Sequence, residues 1–278
     1  SSRVKVCRTA AQILQHPFLL ANQVGGNDDL LFDGCSLVAW PDGTVVIAPA
    51  WQEGVLLVDL DMPENSIWVA MEEDDALFVG TDKMKILTND GDGSEDFDSL
   101  IEDITDAVIT GLADYCRKSG IKQIVLGLSG GIDSAVAACV ACAAVGPENV
   151  LGIAMPSRFS SQHSLDDAEY TAKALEMEFK IQPIDHMHSA LEGQINYVLD
   201  NGNPVASENI QSRLRGIIVM AHANAQSRMA IATGNKSELA QGYCTLYGDM
   251  AGGYTPLGDL YKMQVYALAE IFNQRAKQ

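Results

Sequence analysis

The segment Ile121–Leu128, the turn Ser129-Gly130-Gly131-Ile132-Asp133-Ser134 and the alanine-rich stretch reaching Val145 constrain the fold more than any other part of the chain. The apolar run reads as a buried strand and the small-residue stretch as a helix. Two glycines at the bend accept backbone angles closed to other residues and leave no side chain to hold a ligand off. Amides at a helix start carry about half a positive charge, so the bend is shaped for an anion. Ser129 and Ser134 add hydroxyl donors. The Asp133 carboxylate beside an anion calls for a cation, which points to phosphate with a divalent metal. The Gly-Lys-Ser/Thr of a P-loop and the G-x-G-x-x-G dinucleotide spacing are both missing. On these residues alone, a plain strand-to-helix connection stays open.

Beyond Phe97 the pattern alternates as in a parallel α/β sheet. Helices are expected at 97–118, 165–175, 186–200, 208–226 and 263–272, with strands at 150–154, 179–184 and 229–233. The expected fold is a doubly wound parallel sheet, whose ligands bind at the carboxyl ends of strands where the order reverses. The glycine turn, 155–158 and 233–238 should therefore share one crevice. Ahead of this lie short strand candidates at 18–21, 35–40, 44–48 and 55–60, with a hairpin turn at Pro41-Asp42-Gly43. Acidic stretches at 72–75 and 89–98 read as solvated linker. A calcium loop there is the weaker reading, since Glu95 stands where glycine is required and no acid occupies the twelfth position. The expected division is 1–61, a linker at 62–96, and 97–278.

Eighteen Lys and Arg against 37 Asp and Glu give a formal charge of −19, which argues against broad nucleic-acid binding. No apolar run reaches the roughly 18–20 residues of a membrane span, and the opening residues are not a signal peptide. Cysteines stand at 7, 35, 116, 139, 142 and 244. Cys139 and Cys142 are a close pair without a second pair to complete a zinc site, so they read as small helix residues in a reducing, cytoplasmic setting. Cys7 reads as a helix residue, and His186-Met187-His188 as a surface turn.

The S-G-G-x-D-S pattern resembles the pyrophosphate loop of ATP pyrophosphatases. Four later segments, at 207–215, 232–238, 247–253 and 256–262, follow it in order. Together they resemble the synthetase domain of the NAD synthetase family over 97–278. Residues 20–29 and 31–36 resemble the C-terminal part of a nitrilase-like αββα glutaminase domain. The resemblance implies an adenine nucleotide α-hydrolase-like fold, here incomplete at the C-terminus, and a homo-oligomer. It also implies amidation of deamido-NAD, driven by ATP and Mg²⁺ through an acyl adenylate, with ammonia normally from glutamine. Gly127, Leu128, Ser129, Gly130, Gly131, Ile132, Asp133 and Ser134 would hold the ATP phosphates, and Thr233 would contact ATP. Asp133 and Glu238 would bind the metal. Asn209, Arg213, Glu238 and Lys262 would meet deamido-NAD, Asp133 and Lys262 acting catalytically. Ser2 and Arg3 would be remnants of a glutamine pocket. The residues also admit plainer roles: Arg213 and Arg215 as members of surface ion pairs, Glu238 as an early-helix acid, Lys262 as a surface lysine. Asp249 and Asp259 either line the pocket or cap turns. Other ATP pyrophosphatase-type ligases, such as relatives of GMP or argininosuccinate synthetase, and a non-catalytic nucleotide-binding piece are the competing readings. The glutaminase Glu-Lys-Cys triad is not in this chain, so the chain by itself is expected not to hydrolyse glutamine.

Overall fold

The computed structural model describes residues 2–27, 30–71, 77–80, 84–88, 97–199, 202–203 and 205–277. They form two units, Ser1–Thr110 and Gly111–Gln278.

In the first unit, helix α1 (Ser2–Leu14) precedes strands β1 (Phe18–Leu20), β2 (Val24–Asn27), β3 (Leu30–Asp33), β4 (Leu37–Ala39) and β5 (Val45–Ile47). Strands β6 (Gly54–Leu57), β7 (Ile67–Met71), β8 (Leu77–Gly80) and β9 (Lys85–Leu87) follow. One antiparallel sheet runs β1-β4-β5-β9, a second β6-β7-β8, and β2-β3 is a separate hairpin. Alternation along β4 and β5 sorts the two faces. Leu37, Ala39 and Val45 pack on Val4, Cys7 and Ala11 of α1, spaced for one helix face. Val38, Trp40 and Val46 pack on the other side with Leu56, Val58 and Met84. Cys7 is thus a buried helix residue, as its sequence context implies. The Pro41–Gly43 turn closes with Gly43 N–H donating to the Trp40 carbonyl at 3.0 Å.

The stretch 62–96 is not simply linker: it contains β7, β8 and β9, and β9 pairs with β5 at Val45↔Leu87. Paired Ile67-Trp68-Val69 and Lys85-Ile86-Leu87 outweigh the local acidity that suggests a solvated run. The acidic residues 72–75 and nearly all of the 89–98 stretch lie outside the described residues.

Helix α2 (Phe97–Ser119) leads into β10 (Ile124–Gly127), α3 (Ile132–Val145), β11 (Val150–Ala154), α4 (Gln162–Ala174) and β12 (Glu178–Ile181). Then come α5 (Asp185–Leu199), α6 (Val205–Gln226), β13 (Met229–Ala230), α7 (Lys236–Gln241) and α8 (Lys262–Arg275). The four strands are parallel, in the order β12-β11-β10-β13. The chain steps outward from β10 to β12, then returns to the far side of β10, so the switch point lies between β10 and β13. Val125, Leu151, Ile153 and Ala230 face Ile218, Val219 and Ala223 of α6, while α3 also packs on β10 and β11. All five β11 residues are buried, as a central parallel strand covered on both faces requires.

Strand β13 stops short of the expected 233 because Ile231 bridges Tyr254 and the Ala232 amide donates to the Tyr254 carbonyl at 2.9 Å. Cys139 and Cys142 lie on α3, where burial pushes their thiols up to about 11 and about 12. His188, expected on a surface turn, is fully buried within α5, whose helical register turns it inward.

Candidate nucleotide site at the sheet switch point

Strand β10 ends at Gly127, and the chain turns through Ser129 and Gly130 into α3. Gly130 adopts φ +80°, and a Cβ there would lie 2.1 Å from the Ser164 carbonyl oxygen at the start of α4. Both the dihedral angle and the close approach demand glycine. Two serines brace the turn. Ser134 Oγ accepts from the Ser129 amide at 3.2 Å and donates to the Gly131 carbonyl at 2.9 Å, and Ser129 Oγ accepts from the Gly131 amide at 3.2 Å. Gly131 is the N-cap of α3 and supplies no side-chain cap. The first amides of a helix have no carbonyl one turn back, so they are available to an acceptor from outside the chain.

Asp133, in the first turn of α3, receives two donors from distant segments. Lys262 Nζ contacts Oδ2, and Asn235 Nδ2 donates to Oδ1 at 3.0 Å. Asn235 is fully buried and caps α7 in a reciprocal box with Glu238. One asparagine therefore touches both acids expected to bind metal. Glu238 is the early-helix acid of α7, its carboxylate accepting the Asn235 amide at 3.0 Å.

Beside the turn, a cleft of about 440 Å³ is lined by Gly127–Ser129, Met155 and Pro156, Thr233, and α6 residues including Ser212 and Arg215. The three strand-end segments expected to converge do so here. Of the two helix arginines, the one lining the cleft is Arg215. Its Nε donates to the Met155 carbonyl at 3.1 Å, and burial pulls the guanidinium below its ordinary value. Arg213 is exposed and donates to the Leu246 carbonyl at 3.2 Å, while Asn209 accepts from Thr245 at 2.9 Å. Both thus brace the 245–249 turn, and neither lines the cleft. Asp249 lines it and also holds that turn, accepting from Ser212 Oγ at 3.1 Å and the Thr245 amide at 2.8 Å. Asp259 is exposed and pairs with Lys236. Ser2 and Arg3 belong to the first unit, where Arg3 pairs with Asp33 at 3.0 Å.

Sequence reasoning gives Asn235 no role beyond its place in a motif and leaves Arg215 undecided. The R-x-R spacing puts its two side chains about 200° apart on a helix, so one has to face away. Among the described residues, no three His, Cys, Asp or Glu side chains form a metal-binding group.

These features define an open parallel α/β domain whose crevice opens at the switch point beside a serine–glycine turn. The family model for NAD synthase matches residues 104–276. The chain is 47% identical over 252 residues to the glutamine-dependent NAD(+) synthetase of Rhodobacter capsulatus, covering 90% of this chain and 42% of that protein. It is 40% identical over 265 residues to the Thermotoga maritima protein of the same name, covering 91% and 46%. The structure of glutamine-dependent NAD+ synthetase from Acinetobacter baumannii in complex with adenosine diphosphate superimposes with a TM-score of 0.81 at 32% identity, covering 99% of this chain and 48% of that one. The NH3-dependent NAD synthetase from Campylobacter jejuni gives 0.57 at 36% identity over 62% of this chain and 73% of its own. The chain belongs to the NAD synthase family. It spans about half the length or less of the glutamine-dependent relatives it matches.

Proposed function

We propose that this chain carries the synthetase part of a glutamine-dependent NAD synthetase, amidating deamido-NAD at the expense of ATP. The observation that carries the reading is the braced turn Ser129–Ser134 at the switch point, with Asp133 contacted by Lys262 and Asn235. Family membership supports the same assignment.

In this reading an oxygen of the nicotinate carboxylate attacks the α-phosphorus of ATP. The bond to the β-phosphate bridging oxygen breaks, and pyrophosphate leaves. Ammonia then attacks the acyl carbon, AMP departs with the carboxylate oxygen, and nitrogen loses a proton. The first amides of α3 hold the phosphates, joined by the serine hydroxyls once these turn from their bracing bonds, and Lys262 meets the negative charge that builds on them. Such catalysis is mainly placement and charge neutralisation. Thr233 contacts ATP and Glu238 and Lys262 attend the dinucleotide, while Asn209 and Arg213 serve it through the 245–249 turn that they brace.

Asp133 and Glu238 are hard oxygen donors joined through Asn235, and Asp133 already draws a cationic ammonium. Mg²⁺ is typically held by one or two carboxylates plus substrate phosphates, so these residues fit it. When bound, Mg²⁺ neutralises charge on the phosphate oxygens.

The reading extends to a first domain derived from a nitrilase-like glutaminase, which runs on past residue 61 through β9, with Ser2 and Arg3 as remnants of its glutamine pocket, and a synthetase domain over 97–278. It also extends to a homo-oligomer acting in the cytoplasm. Among the described residues, no helix is long and apolar enough to cross a membrane.

The test supplies ATP, Mg²⁺, ammonium and deamido-NAD and follows AMP and NAD together. Equal yields of the two are expected. AMP release only with xanthylate, citrulline or nicotinate mononucleotide would overturn the substrate assignment. Nucleotide binding without AMP release from any acceptor would reduce this chain to a binding module.

A further inference from the structure

Asn235 does more than its place at the start of α7 requires. An N-cap needs one acceptor, and Asn235 Oδ1 provides it, receiving the Glu238 amide at 3.0 Å. Its own amide donates to Glu238 Oε2 at 3.0 Å, completing a capping box. The carboxamide Nδ2 is left over. It donates to Asp133 Oδ1 at 3.0 Å, across 102 residues of sequence. Glycine would cap α7 within a few tenths of a kcal/mol of asparagine, and serine equally well. Glycine has no side-chain donor, and the serine hydroxyl is too short to accept from Glu238 and reach Asp133 together. The side chain is fully buried, so Nδ2 has no water to fall back on. The next turn adds to the arrangement, since Ser237 Oγ accepts the Lys262 amide at 3.0 Å and so helps seat the lysine that meets Asp133.

Two carboxylates carried by separate segments repel one another, and neither fixes the other's orientation. A neutral residue that bonds both can hold them in register without cancelling the charge that a cation needs. We propose that Asn235 is a positioning residue, setting the Asp133 and Glu238 carboxylates at a fixed separation and orientation for the divalent cation that accompanies ATP. This inference rests on the ATP and Mg²⁺ reading above. Removal of such outer partners typically costs about 10–100-fold in metal affinity.

The full chain and the variants Asn235→Ser and Asn235→Gly, both competent to cap, are titrated calorimetrically with α,β-methylene-ATP across a range of Mg²⁺ concentrations. Thermal midpoints are recorded alongside. For both variants the Mg²⁺ concentration that half-maximally strengthens binding should rise at least about tenfold. Metal-free binding should change less than about twofold, and the variants should remain folded. A Mg²⁺ dependence within about twofold of the parent would overturn the proposal and leave Asn235 a helix cap. Loss of the fold in both variants would also overturn it, because the role would then be structural. A parent chain that fails to bind the analogue, or binds it with no response to Mg²⁺, would instead defeat the ATP and metal reading itself.

Discussion

Replacing Gly130 with alanine tests the turn where its geometry is most demanding. At φ +80° an L residue carries roughly 1–2 kcal/mol of backbone strain. The added Cβ would also stand 2.1 Å from the Ser164 carbonyl oxygen, a backbone atom that yields only if the start of α4 shifts. Overpacking of this kind costs about 1–3 kcal/mol more, for a total of about 2–5 kcal/mol. In a domain of this size each kcal/mol lowers Tm by about 2–4 °C, so a drop of the order of 10 °C is expected. Gly120 is the internal control. It has φ +68° and nothing within 4 Å of where an added methyl would lie, so Gly120→Ala should carry only the strain. Paired urea and thermal denaturation of the two variants isolate the steric part. Binding of α,β-methylene-ATP should collapse in G130A and persist in G120A. If G130A proves no less stable than G120A and binds the analogue normally, the close packing of turn against α4 is not as described.

Asp133→Asn should lower AMP release by at least about 100-fold, the scale of a lost electrostatic contact at a reacting centre. Its unfolding midpoint should move little, and retained turnover would remove Asp133 from the chemistry. Arg215→Met should weaken nucleotide binding by about tenfold or more while stability holds or rises, because burial already disfavours the charge and no described acid offsets it. A large stability loss with unchanged binding would assign Arg215 to packing. The Glu178 carboxyl is held below its ordinary value chiefly by its hydrogen bond from Lys180, with Arg228 adding to it. A depressed carboxyl contributes stability above its unfolded value and loses it as pH falls through the folded one. The pair is half-exposed, so the contribution is at most about 1 kcal/mol. Glu178→Gln should therefore narrow the stability difference between pH 7 and pH 3, and an unchanged difference would show the ion pairs to be inert.

The sheet and its turn were legible because their signals are local. Buried parallel strands read as apolar runs, and Gly130 sits where only glycine fits. The strands between 67 and 87 were obscured by flanking acids, since pairing with β5 is a non-local fact that charge cannot report. Helix α7 was written in the sequence as Asn235 followed by Glu238 three residues on, but six residues show no apolar period. That Asn235 also reaches Asp133 depends on the topology bringing the end of β13 beside β10. Local pattern likewise could not choose between Arg213 and Arg215, because the choice depends on which face of α6 meets the sheet.

The most direct measurement is a crystal structure of the chain with α,β-methylene-ATP and Mg²⁺. The phosphates should rest on the amides and hydroxyls of Ser129–Ser134, with the metal between Asp133 and Glu238. Nucleotide bound elsewhere, with no phosphate on that turn, would contradict the assignment.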